Sequence, residues 1–492
     1  MRQALSSGTK QEPGKARQFA SNSFWLAASV ATAVLTASVF RLAIGRVLGP
    51  SQYGRYAFIQ TFVTYFLVLA YFGVRSVVAR EVGRDPSKAR AYLAASLKIR
   101  AVTAVTAMLC SWAVGYALHR GGQVTLGIVI MSLSILALAV GELLEGVLAA
   151  LQRSFFVALS NLVGNVAKLA LVLWALRAGY GLIGVIWVSV AASTLMAITN
   201  WRFVKHVLSS QGLQRSEPGR VRYVLKESRP FLLMSAAGKL YAKNDILFLA
   251  LLRGDAITGI YSAAYVFVDL LISVSGSFNW TAYSMVARLY GEAEDKKPLG
   301  MGLSEAYGRL HKHLLMIFLP VSALLMLFGR ESLMLFGNRF LGGLDALRVL
   351  VWVPPAEVSC VLSGCFLSAT YRQRLEARIA AAITALNIGW TVSFIVLFGA
   401  VGAAVATIGA SLINAAVRYI YVTRTLGKTS VVDVWVRPIA CTAAMLLVAQ
   451  RFMGVFWMWR LAVALMVYAL AVAVVRPYDA EDRRLLRSIL RR

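Results

Sequence analysis

The chain reads as an all-α polytopic membrane protein of about fourteen transmembrane helices, built by duplicating a six-helix bundle and adding two C-terminal helices. Three observations carry that reading. Of 492 residues, 59% are hydrophobic and the mean hydropathy is +0.68, well above the 45–50% apolar content of soluble domains. The formal charge of +29 is not spread evenly but sits between apolar runs, as it does in cytoplasmic loops. Finally, Gly49, Gly54, Tyr56, Phe62 and Val63 recur, at a constant offset of 205, as Gly254, Gly259, Tyr261, Phe267 and Val268. Such duplication is the usual build of transporters, whose site lies between the halves.

The first 20 residues are polar and mildly basic, and they read as an uncleaved cytoplasmic tail (1–21). About 20 apolar residues cross a bilayer core. On that rule the N-lobe (22–205) holds six spans, near 22–44, 54–74, 94–118, 124–151, 154–177 and 181–203. A basic linker (206–229) follows. The C-lobe (230–423) holds spans near 230–252, 257–283, 312–329, 346–370, 378–398 and 400–423. Two more spans lie within 424–475, near 434–453 and 455–475, and a basic tail (476–492) ends the chain.

The loops test the count. Arg75, Arg80, Arg84, Lys88 and Arg90 follow span 2. Lys205, Arg215, Arg220, Arg222 and Lys226 follow span 6; Arg372, Arg374 and Arg378 follow span 10; Arg424, Lys428 and Arg437 follow span 12. The tail carries Arg483, Arg484, Arg487, Arg491 and Arg492, and reads as a basic amphipathic helix resting on anionic lipid. Bias on alternate loops places both termini in the cytoplasm. The Gly-Tyr copies follow spans 1 and 7, so both lie outside and the repeat is parallel. A second register agrees: Gly146, Gly181, Gly184, Ala192 and Ser193 recur at offset 218 as Gly364, Gly399, Gly402, Ala410 and Ser411. The change of register implies a longer charged loop near 288–311. The glycines of Gly49-Pro50 and Gly54 read as a tight outer turn.

Several charges lie inside apolar spans, where each costs about 2.5–3.5 kcal/mol on insertion scales and so faces the bundle interior or water. Span 7 carries Lys239, Lys243 and Asp245. The lysines, four apart, share a helical face, while Asp245 projects roughly opposite at about 100° per residue. Span 5 carries Asn161, Asn165 and Lys168 at i, i+4 and i+7, one polar stripe. Glu142 and Glu145 share a face of span 4, Arg41 lies in the outer part of span 1, and Asp269 and Glu357 lie near the middles of spans 8 and 10. The alternative for each is an ion pair between helices that only fixes packing, and for Arg41 an interfacial anchor.

Other motifs are weak. Cys110, Cys360, Cys365 and Cys441 lie in apolar segments without metal-ligand spacing and read as core residues. His311 and His313 diverge on a helix, so no metal is expected there. No Ser/His/Asp set or phosphate-binding loop has useful spacing, which argues against an enzyme such as a membrane glycosyltransferase or polymerase. With the positive charge explained by loops, nucleic acid is not an expected partner.

Asn22 to Gly54, ending in Arg46-Val-Leu-Gly-Pro-Ser-Gln-Tyr-Gly54, resembles the opening of the Wzx-type polysaccharide and lipid-linked oligosaccharide flippases, within the multidrug/oligosaccharidyl-lipid/polysaccharide exporter superfamily. Ser228-Arg229-Pro230-Phe231, Gly259-Ile260-Tyr261-Ser262, and Leu335-Phe336-Gly337 before Phe340 extend the resemblance over nearly the whole chain. It implies two six-helix lobes around a central cavity with alternating access. It implies movement of undecaprenyl-diphosphate-linked oligosaccharide across the bacterial inner membrane for O-antigen, capsule or exopolysaccharide synthesis. A peptidoglycan-precursor flippase and a cation-coupled drug exporter are the closest alternatives. For such a substrate, Lys168, Lys239, Lys243 and Arg41 would meet the diphosphate and Asn161 and Asn165 the sugar hydroxyls. Asp245 or Asp269 would carry a coupling proton or sodium ion, or else form ion pairs. No other cofactor is expected. Partners would be the lipid-linked glycan, membrane lipids and a glycan polymerase.

Overall fold

A computed structural model describes residues 13–210, 221–294, 301–370, 372–427, 429–452 and 456–475. The basic tail with Arg483 to Arg492, most of the N-terminal tail, and Arg215 and Arg220 of the linker lie outside the described residues. Every extended element among the described residues is helical, in two compact units, Met1–Ala250 and Leu251–Arg492.

The first unit holds α1 (Pro13–Tyr71), α2 (Val74–Arg84), α3 (Ala89–Ala117), α4 (Gly122–Ser132), α5 (Ser134–Ala150), α6 (Ser154–Arg177), α7 (Gly181–Ser210) and most of α8 (Val221–Arg253). Gly49 breaks α1 at φ 74°, ψ 176°. Glycine takes that left-handed φ without a Cβ penalty, and Pro50 then opens the next helix with a pre-set φ. The two spans read at 22–44 and 54–74 are thus the two arms of one kinked helix. The loop after span 2 contains a helix that hydropathy did not reveal. Val74, Val77, Val78 and Val82 of α2 are fully buried, at the i, i+3, i+4, i+8 spacing of an amphipathic helix, against Leu143, Leu144 and Val147 of α5 and Tyr92 of α3. Burial of a valine is worth about 1.5–3 kcal/mol, so this stripe holds α2 to the unit.

The second unit holds α9 (Asp255–Glu294), α10 (Met301–Leu327), α11 (Gly329–Met334), α12 (Leu344–Leu350), α13 (Val353–Ala369), α14 (Gln373–Leu426), α15 (Arg437–Gln450) and α16 (Trp457–Val475). Gly399 breaks α14 at φ 61°. Its repeat partner Gly181 has φ 58°, and Gly254, partner of Gly49, has φ 87°. The duplicated glycines therefore mark duplicated left-handed turns. Tyr56 and Tyr261 are both fully buried just beyond them. The longer loop expected near 288–311 is mostly helix, because α9 runs to Glu294 and α10 starts at Met301. Buried Leu303, Tyr307 and Leu314, with half-buried Leu310, continue an apolar stripe beyond the hydrophobic run and extend the helix. Arg460 of α16 is buried over the Phe328 ring and pairs with Glu331 of α11, and α16 also packs Ala464 against α10 and α15.

Among the described residues, ten helices are long and apolar enough to cross a membrane, or eleven if a pair bent by 41° is one span. Two of the ten, Ala28–Tyr71 and Arg374–Leu426, have 44 and 53 residues, twice what one crossing of about 20 residues needs. The chain is an all-α multi-pass membrane protein.

Candidate functional site: polar seams of the first unit

Of the eight residues singled out as candidate contacts, all but Asp269 belong to the first unit. The stripe on α6 faces the first arm of α1. Asn161 Nδ2 donates to Ser29 Oγ at 2.9 Å. Nearly two turns nearer the start of α6, Phe155 meets Trp25 edge-on with centroids 5.0 Å apart. Two turns further along, Lys168 Nζ lies 4.2 Å from the centroid of Phe40. Arg41, next to Phe40, is within electrostatic reach of Lys168 and of Tyr56 beyond the kink. Asn165 is half-buried between Asn161 and Lys168. The i, i+4, i+7 pattern thus builds one seam with an amide end and a doubly cationic end. Two like charges that repel each other, with an aromatic face against one of them, make this end of the seam electropositive.

The second group sits on α8. Lys243 is non-helical, at φ −145° and ψ 19°, and breaks the helix. The expectation that Asp245 projects opposite the lysines rested on an unbroken 100° rotation, which does not run through this break. Asp245 is buried at 2% exposure, and its Oδ1 accepts from the Ile246 N–H at 2.8 Å, at the start of the second arm. A carboxylate there meets free N–H groups and the positive end of the helix dipole. Asp245 also acts electrostatically on Tyr65 of α1. Lys239, in the first arm, is exposed. The break therefore puts Lys243 two residues before a buried carboxylate, with Lys239 one turn earlier on the exposed part of the first arm.

A third polar group escaped the sequence reading. Arg100 of α3 is fully buried at 0% exposure. It pairs with Glu142 of α5, donates to the Ala70 carbonyl at 3.3 Å, and lies 5.1 Å from the Tyr71 centroid. Arg75 at the start of α2 approaches Glu142 at 3.8 Å. Its aliphatic part fills the space beside Gly146, where a Cβ would lie 2.8 Å from Arg75 Cγ. Glu145, one turn from Glu142, receives Asn200 Nδ2 of α7 at 3.5 Å. Of the two glutamates read as ion-pair candidates, Glu142 is in ion pairs. Arg100 lies six residues into the span read at 94–118 and was not singled out from the sequence.

At the end of the unit bearing the basic loops, Arg80 of α2 pairs with Glu227 of α8 at 2.9 Å and with Glu81 at 3.0 Å. Glu81 accepts from Tyr223 of α8 at 3.1 Å and from Tyr92 of α3 at 3.4 Å. Partial burial works to raise the Glu81 carboxyl, but the bonds from Arg80, Tyr223 and Tyr92 outweigh it and hold it below the usual range. Asp85 is held down to about 2 by Lys88 and Ser87. This network ties α8 to α2.

In the second unit, Asp269 lies half-buried on α9. Glu357 accepts from Ser411 Oγ at 2.9 Å. Arg418 of α14 pairs with Glu376 at 3.2 Å and with Asn414 at 2.9 Å. His311 is fully buried and bonded to Ser359 at 2.8 Å, whose hydroxyl donates to the Pro355 carbonyl. Ser359 therefore accepts, so His311 carries its proton on Nε2. Cys360, Cys365 and Cys441 are buried thiols. Among the described residues, no cluster of three or more His, Cys, Asp or Glu side chains could hold a metal ion.

Comparison with known proteins places this geometry. The fold is similar to that of lipid II flippase MurJ in an inward closed conformation, with TM-score 0.74 at 15% identity, covering 91% of this chain and 98% of that one. It is also similar to an inward-facing multidrug resistance MATE family transporter of the MOP superfamily, with TM-score 0.65 at 18% identity over 80% and 94%. A MOP superfamily transporter from Pyrococcus furiosus gives TM-score 0.62 at 17% identity over 82% and 95%. A search of curated proteins gave no match. Residues 19–284, more than half of the chain and including every candidate residue above except those of the later second unit, match the family described as polysaccharide biosynthesis protein. The chain belongs to the polysaccharide biosynthesis protein family.

Proposed function

We propose that this protein is a flippase that moves undecaprenyl-diphosphate-linked oligosaccharide units from the inner to the outer leaflet of the bacterial plasma membrane. Membership of a polysaccharide biosynthesis family in a chain with a flippase-like, all-helical fold carries the reading. The MurJ likeness also supports a peptidoglycan lipid precursor as cargo, which presents the same lipid diphosphate. The chain crosses fourteen times, with the N-lobe at 22–205, the C-lobe at 230–423 and both termini cytoplasmic.

Lys168 and Arg41 bind the diphosphate at the cationic end of the α1–α6 seam. Asn161 and Asn165 bind glycan hydroxyls along the same seam. Lys239 and Lys243 serve the diphosphate at the α8 break, and Asp245 or Asp269 holds a coupling proton or sodium ion. A polymerase on the outer face takes the product, and the protein itself makes and breaks no covalent bond.

The test uses a deletion strain complemented by the parent or by Lys168→Ala or Lys239→Ala/Lys243→Ala, with protein levels matched by immunoblot. Loss of surface glycan, with the lipid-linked intermediate trapped on the inner leaflet, is the expected result for the deletion. Export by the lysine variants should fall at least tenfold, the effect of about 1.4 kcal/mol in a binding step. Normal glycan in the deletion strain sinks the flippase reading; normal export by the variants sinks the phosphate site.

A further inference from the structure

The offset-218 register aligns Gly146 with Gly364, Glu145 with Ser363 and Asn200 with Arg418. Both glycines do the same job. A Cβ at Gly146 would meet Arg75 Cγ at 2.8 Å; one at Gly364 would meet Arg418 Nη1 at 2.6 Å. Each repeat thus keeps a slot for an arginine beside the same glycine, but fills it from a different helix. In the second unit the arginine comes from α14, is 8% exposed, and is fixed by Glu376 and Asn414. In the first unit it comes from α2, and its side chain is 42% exposed. The position that would supply a fixed arginine there is the neutral Asn200.

That exchange leaves one carboxylate without an ion-pair partner within 4 Å among the described residues. Arg100 pairs with Glu142, and Arg75 approaches Glu142 at 3.8 Å. Glu145 has the Asn200 amide at 3.5 Å and feels Arg75 and Glu142 only electrostatically. Asn200 is 0% exposed, and its Oδ1 is a buried acceptor with no hydrogen-bond donor among the described residues. An orphan acceptor next to a carboxylate costs free energy unless something donates to it. A protonated Glu145 would do so. An amide serves both states: Nδ2–H donates to the ionised carboxylate, and after a flip Oδ1 accepts from the carboxylic acid. A sodium ion would find only these oxygens beside an arginine, too few for a hard cation.

We propose that Glu145, with Asn200 as its amide partner, is a reversible proton-binding site of the first unit. The proton is taken from solvent water and returned to it. Ionised Glu145 attracts Arg75 across Gly146, whereas the acid does not. Arg75 opens α2, and α2 holds α8 through Arg80 and Glu227, so the proton's occupancy bears on the helix that carries Lys239 and Lys243. This coupling role rests on the flippase reading; the proton site does not.

Infrared difference spectra of the purified full chain in nanodiscs, taken between acid and neutral pH, read the site without any substrate. The parent should show a buried carboxylic-acid carbonyl band that titrates and shifts in deuterated water. Glu145→Gln should lose that band and Glu145→Asp should keep one. Asn200→Arg, which installs the residue of the second unit, should hold the carboxylate ionised and abolish the titration. A band unchanged in both Glu145→Gln and Asn200→Arg overturns the proposal. If Glu145→Gln fails to fold, the Asn200→Arg spectrum decides alone. In complemented cells, Glu145→Gln should reduce glycan export at least tenfold at matched protein level. Full export with the band lost overturns the coupling role. A deletion strain with normal glycan would instead sink the flippase reading and leave the spectrum standing.

Discussion

At the scale of single residues, the two aligned glycines differ in how much give surrounds them. Beside Gly364 a methyl group would press on Arg418 Nη1 at 2.6 Å and on Glu376 Oε1 at 2.9 Å, two atoms fixed in one ion pair. Beside Gly146 it would press on Arg75 Cγ at 2.8 Å, in a side chain that is 42% exposed and can change rotamer toward solvent at the cost of a long 3.8 Å approach to Glu142. Overpacking typically costs about 1–3 kcal/mol. Gly364→Ala is therefore expected to lower the melting temperature of the detergent-solubilised protein clearly more than Gly146→Ala, as measured by size-exclusion after heating. Arg100 offers a complementary case. Removing one partner of a buried pair leaves an uncompensated charge and costs about 3–5 kcal/mol, whereas replacing both by apolar groups is often neutral. Arg100→Leu should sharply reduce folded yield, and Arg100→Leu with Glu142→Leu should recover most of it. The repeat made these glycines visible in the sequence. Arg100 was not visible, because one arginine six residues into a span has the same signature whether it snorkels or is fully buried.

At the scale of elements, legibility followed periodicity. The α6 stripe could be read because an unbroken helix keeps its 3.6-residue period, and the structure lays it along α1 through Asn161–Ser29 and Lys168–Phe40. The α8 arrangement could not be read, because no glycine or proline marks the break at Lys243, and angular arithmetic fails across it. Helix α2 was hidden for another reason: eleven residues are too few for a span, and its four valines show their stripe only at helical spacing. The network that ties α2 to α8 should be acid-sensitive. Glu81 and Asp85 have carboxyls held below their ordinary values in the fold. Their contribution is present above the unfolded values of about 4 and is lost as pH falls through the folded ones, about 2 for Asp85. Glu81 is partly buried while the Asp85 pair is screened by solvent, so the loss is local to this network. Backbone amide exchange in 74–92, corrected for intrinsic pH dependence, should accelerate between about pH 4 and pH 2, with segment 124–138, which carries no titratable side chain, unchanged. Equal acceleration in both segments would mean global loosening instead.

At the scale of the whole molecule, charge asymmetry is the feature that the fold explains best. Arginines outside the basic loops look like exceptions to the positive-inside pattern, yet several are held by local work. Arg120 donates to the Ala250 carbonyl near the end of α8 and lies 4.8 Å from the Phe58 centroid. Arg253 donates to the Ile395 carbonyl at 3.0 Å and to Val396, just before the Gly399 break in α14. Helix ends leave carbonyls unsatisfied and carry partial negative charge, so a cation is favoured there whatever side of the membrane it faces. Arg348 is likewise paired with Asp345 at 3.1 Å. Most of the other loop Lys and Arg lie in the segments read as following even-numbered spans, the bias expected to set orientation during insertion. Single cysteines in a Cys110→Ser background test this directly, since the other native thiols, at 360, 365 and 441, are buried. Gly122→Cys and Arg330→Cys, at exposed positions after the third and ninth spans, should react with an impermeant maleimide in intact spheroplasts. Ser87→Cys and Arg424→Cys, exposed after the second and twelfth spans, should react only after permeabilisation. Labelling of Ser87→Cys but not Arg424→Cys from outside would mean that the two repeats insert with opposite polarity, and the parallel duplication would have to be abandoned. Labelling of both from outside would invert the chain, and a flippase that takes its lipid-linked substrate from the cytoplasmic leaflet would then present its basic loops to the wrong side.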